Sequence, residues 1–211
     1  MSRDPARADV GPNLEGGAGG RLFLVRHGET PWSLSGRHTG TTDVPLTDEG
    51  RAVARRLAPA LEDERFALVL SSPRLRALET ARLAGLGERI EVDPDLAEWD
   101  YGDYEGLTTA EIRERVPGWT VFTHPCPGGE TADAIAARAE RVIERVRAAA
   151  GDVAVFSHGH MGRVLTARWL SLPTREGRRF ALGTATVSVL SFERDVAVVA
   201  LWNAPPAAGA P

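Results

Sequence analysis

Two histidines, several arginines and one acidic loop are the residues of this chain best suited to chemistry. Arg26-His27-Gly28-Glu29-Thr30 directly follows the apolar run Leu22-Phe23-Leu24-Val25. A short apolar run predicts a buried strand, and Gly28 permits a sharp turn at its end. His27 is then expected at the carboxyl end of a strand, where open α/β sheets bind their ligands. A second histidine, His158, stands in the same relation to the run Val153–Phe156. Arg26 and Arg76 offer planar forks that match phosphate or carboxylate oxygens two at a time. Glu98 opens the polar stretch Glu98-Trp99-Asp100-Tyr101-Gly102-Asp103-Tyr104-Glu105-Gly106, where Asp100, Asp103 and Glu105 compete with it for any acidic role.

Two histidines, two arginines and a carboxylate are the parts needed for phosphoryl transfer through a covalent phosphohistidine. One neutral imidazole attacks phosphorus, while the arginines and the other histidine stabilise the charge spread over the equatorial oxygens. The carboxylic acid gives its proton to the departing oxygen, and water then attacks the phosphohistidine.

The elements that must position these groups follow from the patterning. Apolar runs at Leu22–Val25, Ala67–Leu70 and Val153–Phe156 each precede a polar turn and a helical pattern, which predicts βαβ units and a mainly parallel sheet covered on both faces. Thr47 is expected to cap one helix. Ser72-Pro73 is expected to start another, running to about Ala84 with Arg76 near its anion-favouring N-terminus. Thr131 should cap a long helix burying Ile135, Ala139, Val142, Ile143 and Val146. A further helix carries Val164, Leu165 and Trp169, and a hairpin turning at Arg194-Asp195 closes the sheet with an antiparallel edge strand. Thr39 to Leu46 and Glu98 to Gly106 read as loops that wall the site. His38 and His124 read as surface histidines, and Arg74 and Arg82 as exposed helix arginines.

The 211 residues suit one folded domain over 21–203, with flexible segments at 1–20 and 204–211. All 25 cationic side chains are arginines, since the chain has no lysine, and the net charge of −4 gives no support for nucleic acid or membrane partners. A single cysteine, Cys126, fits a reducing, cytoplasmic setting. A metal site built from His27, His158 and His160 is disfavoured by the flanking arginines, so no cofactor is expected. Oligomeric state is not legible, a homodimer being one option.

The ordered motifs Leu24-Val25-Arg26-His27-Gly28-Glu29-Thr30, Gly36-Arg37-His38-Thr39-Gly40, Pro45-Leu46-Thr47, Ser71-Ser72-Pro73-Arg74-Leu75-Arg76, Glu98 with Tyr104-Glu105-Gly106, Gly128-Gly129-Glu130-Thr131 and Ser157-His158-Gly159-His160 resemble the histidine phosphatase superfamily, also called phosphoglycerate mutase-like. The resemblance implies a three-layer α/β/α sandwich and a phosphomonoesterase acting on small phosphorylated metabolites. It also implies His27 as nucleophile, Arg26, Arg76 and His158 as phosphate pocket, and Glu98 as proton donor. Trp32, Ser33, Thr39, Gly40, Tyr101, Gly159, His160 and Arg163 are the candidates for substrate contacts. The stretches Glu98 to Thr108 and Leu182 to Leu190 are similar to actinobacterial acid phosphatases and sedoheptulose-1,7-bisphosphatase-like enzymes. The alternatives are a cofactor-dependent phosphoglycerate mutase and a catalytically inactive phospholigand-binding module. Mutase members carry a long basic insertion, whereas Gly106 to Gly129 here is short and offers only Arg113 and Arg115.

Overall fold

A computed structural model describes residues 20–206. Of the segments expected to be flexible, residues 1–19 and 207–211 lie outside that range, while Ala204, expected in the tail, is the last residue of the final strand. Six strands form one sheet in the order β3-β2-β4-β1-β5-β6, comprising β1 (Leu22–Arg26), β2 (Phe66–Ser71), β3 (Ile90–Val92), β4 (Asp152–Ser157), β5 (Val187–Glu193) and β6 (Val196–Ala204). The first four are parallel, β5 runs antiparallel to β1, and the β5–β6 hairpin forms the antiparallel edge.

Because side chains alternate along a strand, β1 feeds two cores. Leu22 and Leu24 pack toward one apolar cluster with Ile135, Val142, Val164 and Leu165, while Phe23 and Val25 join Leu57, Leu61, Ala81 and Ala84 in the other. The first cluster belongs to α6 (Ala132–Ala148) and α7 (Gly159–Trp169). The second belongs to the face carrying α2 (Asp48–Arg55), α3 (Ala58–Leu61) and α4 (Leu75–Ala81). Two short helices, α1 (Pro31–Leu34) and α5 (Thr109–Arg115), lie in the loops above the sheet's carboxyl edge. The result is the expected three-layer sandwich. Among the described residues no helix is long and apolar enough to cross a membrane.

The caps behave as their chemistry dictates, with one exception. Thr47 accepts from Gly50 N at 2.9 Å and Thr131 from Ala134 N at 3.1 Å, and the five expected apolar residues of α6 are all buried. Ser72 does not cap α4. That helix begins at Leu75, after an extended Arg74, and the Ser72 hydroxyl is drawn instead to His158. The foremost amide of α4, Leu75 N, is held by Asp43 Oδ1 at 3.0 Å, so an acidic side chain already uses part of the anion-favouring terminus expected there.

Chain direction explains where the site lies. The crossovers leaving β1 and β4 pass to opposite faces of the sheet, and these two strands are neighbours, so a crevice opens between their carboxyl ends. Three parallel strands end there at one level. Arg26 pairs with Ser157 and Ser71 with Phe156, and the next residues along are His27, His158 and Ser72.

Candidate active site

His27 and His158 stand with ring centroids 5.2 Å apart. His27 is only 5% exposed, and His158 and Arg76 are fully buried. The His27 Nδ1 lies 2.7 Å from the Gly28 carbonyl oxygen, which can only accept, so Nδ1 carries the proton and Nε2 keeps its lone pair. Burial holds the His27 pKa well below 6.5, with the charges of Arg26 and then Arg76 acting in the same direction. The ring is therefore a neutral imidazole. Gly28 is required here by close approach rather than by a left-handed turn, since a Cβ would meet the Gly50 carbonyl oxygen at 2.7 Å.

His158 Nε2 meets Ser72 Oγ at 2.7 Å. Burial pushes His158 below its usual range as well, ahead of the effects of Arg76, His27, Arg26 and Arg74. With the serine O–H donating to Nε2, the neutral ring carries its proton on Nδ1. Among the described residues, five buried side-chain nitrogens lack a protein partner, and four of them belong to this cluster: Arg26 Nε, Arg76 Nε, Arg74 Nε and His158 Nδ1. Unpaired buried donors are costly. Their concentration in the cluster around His27 and His158 is what an anion-binding pocket requires.

The arginines are fixed by backbone carbonyls. Arg76 donates from Nη1 to Thr42 O at 3.0 Å and from Nη2 to Thr39 O at 2.9 Å, and Arg26 Nη1 donates to Leu182 O at 2.5 Å. These bonds hold the guanidinium planes and leave both Nε–H groups unspent. Gly159 packs on the Arg26 guanidinium, where an added Cβ would lie 3.4 Å from Cζ. Arg74 departs from the sequence expectation. It is half-buried beside this cluster rather than exposed, because α4 starts at Leu75, two residues after the Pro73 start that the Ser-Pro signal suggests, and Arg74 is extended backbone ahead of the helix.

Glu98, 8% exposed, faces the same crevice. Its Oε1 accepts from Trp99 N at 2.9 Å and Met161 N at 2.8 Å, and its Oε2 accepts from His160 N at 3.0 Å. The carboxylate thus sits on the first turn of α7, where N–H groups and the helix dipole favour it. Oε2 has one partner and a lone pair to spare. Of the competing acids, Glu105 is occupied elsewhere, accepting from Gly40 N at 3.0 and 2.9 Å and from Thr42 N at 3.0 Å.

The sequence does not reveal Arg138 as a part of this site. It donates from Nη1 to Asp95 O at 2.6 Å and Ala97 O at 2.9 Å, and is ion-paired with Glu130 at 2.7 Å. Glu130 O in turn accepts from Trp99 Nε1 at 2.9 Å. Arg138 therefore clamps the backbone on which Glu98 stands. The Gly128-Gly129-Glu130-Thr131 motif held half of this signal, but its partner lies two helical turns further on.

The substrate-contact candidates divide. Ser33, Thr39, Tyr101, Gly159, His160 and Arg163 line the cleft. The Ser33 hydroxyl is committed to a capping box with Thr30, accepting from Thr30 N at 2.8 Å and donating to Thr30 O at 3.0 Å. Gly40 does not line the cleft. Its amide is turned to Glu105, and its lack of a side chain serves close packing, since a Cβ would meet the Trp99 carbonyl oxygen at 2.4 Å. His38, expected on the surface, is buried against Tyr101 at 4.7 Å and Trp119 at 5.2 Å, and burial lowers its pKa to about 4. Its neighbours come from distant loops, so no local pattern exposes the burial. No cluster of three or more His, Cys, Asp or Glu that could hold a metal ion occurs among the described residues.

Comparison with known proteins identifies the family. An acid phosphatase of Mycobacterium tuberculosis is 47% identical over 192 residues, covering 88% of this chain and 94% of the relative. A sedoheptulose 1,7-bisphosphatase of Saccharomyces cerevisiae is 36% identical over 184 residues, covering 72% and 68%. A solved structure of a Mycobacterium tuberculosis open reading frame superposes with a TM-score of 0.83 at 45% identity, covering 89% of this chain and 98% of that one. The family model described as histidine phosphatase superfamily, branch 1, matches residues 22–205. The chain belongs to that superfamily and is a phosphatase.

Proposed function

We propose that this phosphatase hydrolyses monoesters of small phosphorylated metabolites through a covalent phosphohistidine on His27. The observation that carries this reading is the His27 Nε2 lone pair, fixed by the Nδ1–Gly28 bond, in a cluster whose Arg26, Arg76 and His158 keep nitrogens without partners among the described residues. The nucleophile attacks phosphorus from Nε2. The bond to the ester oxygen breaks as Arg26, Arg76 and His158 hold the three non-bridging oxygens. Glu98 donates its proton to the departing oxygen, which leaves as an alcohol. Water then attacks the phosphohistidine, Glu98 takes up the water's proton, and inorganic phosphate leaves with His27 neutral again. The low pKa of His27 suits this role, because a protonated imidazole cannot attack.

Two observations favour hydrolysis over isomerisation. Arg113 and Arg115, the basic residues available to a mutase between Gly106 and Gly129, are both exposed, and Arg113 Nε is spent on Trp119 O at 2.8 Å. Neither lines the cleft. The test is phosphate release from 4-nitrophenyl phosphate and from an alkyl phosphate in excess chelator. Release undiminished by the chelator is expected. A strict need for added metal, or conversion of 3-phosphoglycerate stimulated by 2,3-bisphosphoglycerate and outrunning hydrolysis, would overturn the reading. Binding of phosphate esters without any turnover would leave the inactive-module alternative.

A further inference from the structure

The wall facing the phosphate end contains one polar atom for which the proposed chemistry has no use. Tyr101, 1% exposed, places its hydroxyl 2.6 Å from His160 Nδ1. If the imidazole were the donor, the buried phenol O–H would have no acceptor, since no other hydrogen bond to it exists among the described residues. The phenol therefore donates, Nδ1 accepts, and the neutral ring must carry its proton on Nε2. Burial supports this state from both sides, raising Tyr101 well above 10 and lowering His160 well below 6.5. The His160 Nε2 has no hydrogen-bond partner among the described residues and is not enclosed, and the residue lines the cleft. Its main-chain N–H holds Glu98 Oε2 at 3.0 Å, so the ring projects one residue from the acid. Around it lie the rings of Phe122 at 5.3 Å and His38 at 5.8 Å.

We infer that His160, its tautomer fixed by Tyr101, is the specificity-determining residue for the leaving group, and that it donates from Nε2–H to a hydroxyl oxygen on the carbon chain beside the ester. A neutral N–H set among ring faces suits a polyol phosphate, whose hydroxyls accept and whose C–H faces pack on aromatic rings. A site built to hydrogen-bond an oxygen discriminates against the analogue without it, because its donor is then left unpaired. This inference rests on the phosphatase chemistry proposed above and adds the class of alcohol.

The experiment compares kcat/KM for glycerol 3-phosphate and for propyl phosphate, which lacks the hydroxyls. The native enzyme should prefer the hydroxylated ester by about tenfold, chiefly through KM, the worth of one well-placed hydrogen bond. Tyr101→Phe, which removes one oxygen and frees the tautomer, should shrink that ratio several-fold. His160→Leu should abolish it, and His160→Gln, which restores an N–H near Nε2, should recover part. A native ratio near one overturns the inference whether or not the variants fold. So does a ratio that Tyr101→Phe and His160→Leu both leave unchanged. Acid-labile label on His27 in native enzyme that shows no ester preference would sink this inference alone. Absence of that label would sink the underlying mechanism.

Discussion

The two ends of the cleft are built on opposite principles. At the phosphate end the polar groups come from strand termini and the helix starts that follow them, with His27, His158 and Arg76 buried and Arg26 and Arg74 half-buried, and keep N–H groups unpaired. On the opposite wall His38, Tyr101 and His160 come from three separated segments and satisfy most of their polar atoms on one another or on neighbours. An end that must hold one invariant anion can carry permanent unpaired donors, because the ligand always completes them. A wall that meets varied alcohols has to be stable without any of them.

The contrast can be broken first at the phosphate end. Arg76→Met should lower kcat/KM by about 10²–10³-fold on every ester, the cost of removing one preorganised donor to the transferring group. The same change removes a positive charge that depresses His27 and His158, so both imidazoles should titrate closer to 6.5, which histidine NMR would reveal. A loss confined to one substrate would show that Arg76 serves the wall instead.

Glu98 stands on the border between the two ends. Glu98→Gln should cost about 10²-fold on alkyl phosphates and much less on 4-nitrophenyl phosphate, whose leaving group needs no proton. An equal loss on both would remove Glu98 as the acid.

On the wall the test reads stability rather than turnover. His38 is held at about 4 in the folded protein and returns to about 6.5 on unfolding, so the unfolded chain binds the extra proton between these values. Its contribution to stability is complete above pH 6.5 and lost as pH falls toward 4, by up to roughly 3 kcal/mol. Urea unfolding at pH 7 and pH 4.5 should show a smaller difference in a His38→Phe variant than in the native protein. An identical difference would mean that His38 is not protected from protonation.

This division also explains what could be read from the sequence. His27 and His158 each follow a buried apolar run, so their placement at strand ends is a local property that survives folding unchanged. The α6 stripe and the Thr47 and Thr131 caps are legible for the same reason. Ser72-Pro73 misleads because a tertiary partner, His158, competes for the hydroxyl that would have capped the helix. His38, Arg74 and Arg138 escape because burial and clamping arise from segments tens of residues away. Gly40 has a motif position but a packing role, since what matters is the Trp99 carbonyl beside it.

The central claim is a nitrogen–phosphorus bond on one ring. Native enzyme mixed with 32P-labelled phosphate ester and quenched within milliseconds should carry acid-labile, base-stable label on the peptide containing His27, and His27→Ala should carry none while losing at least about 10⁴-fold in turnover. Label on another residue, or turnover persisting in His27→Ala, would contradict the account.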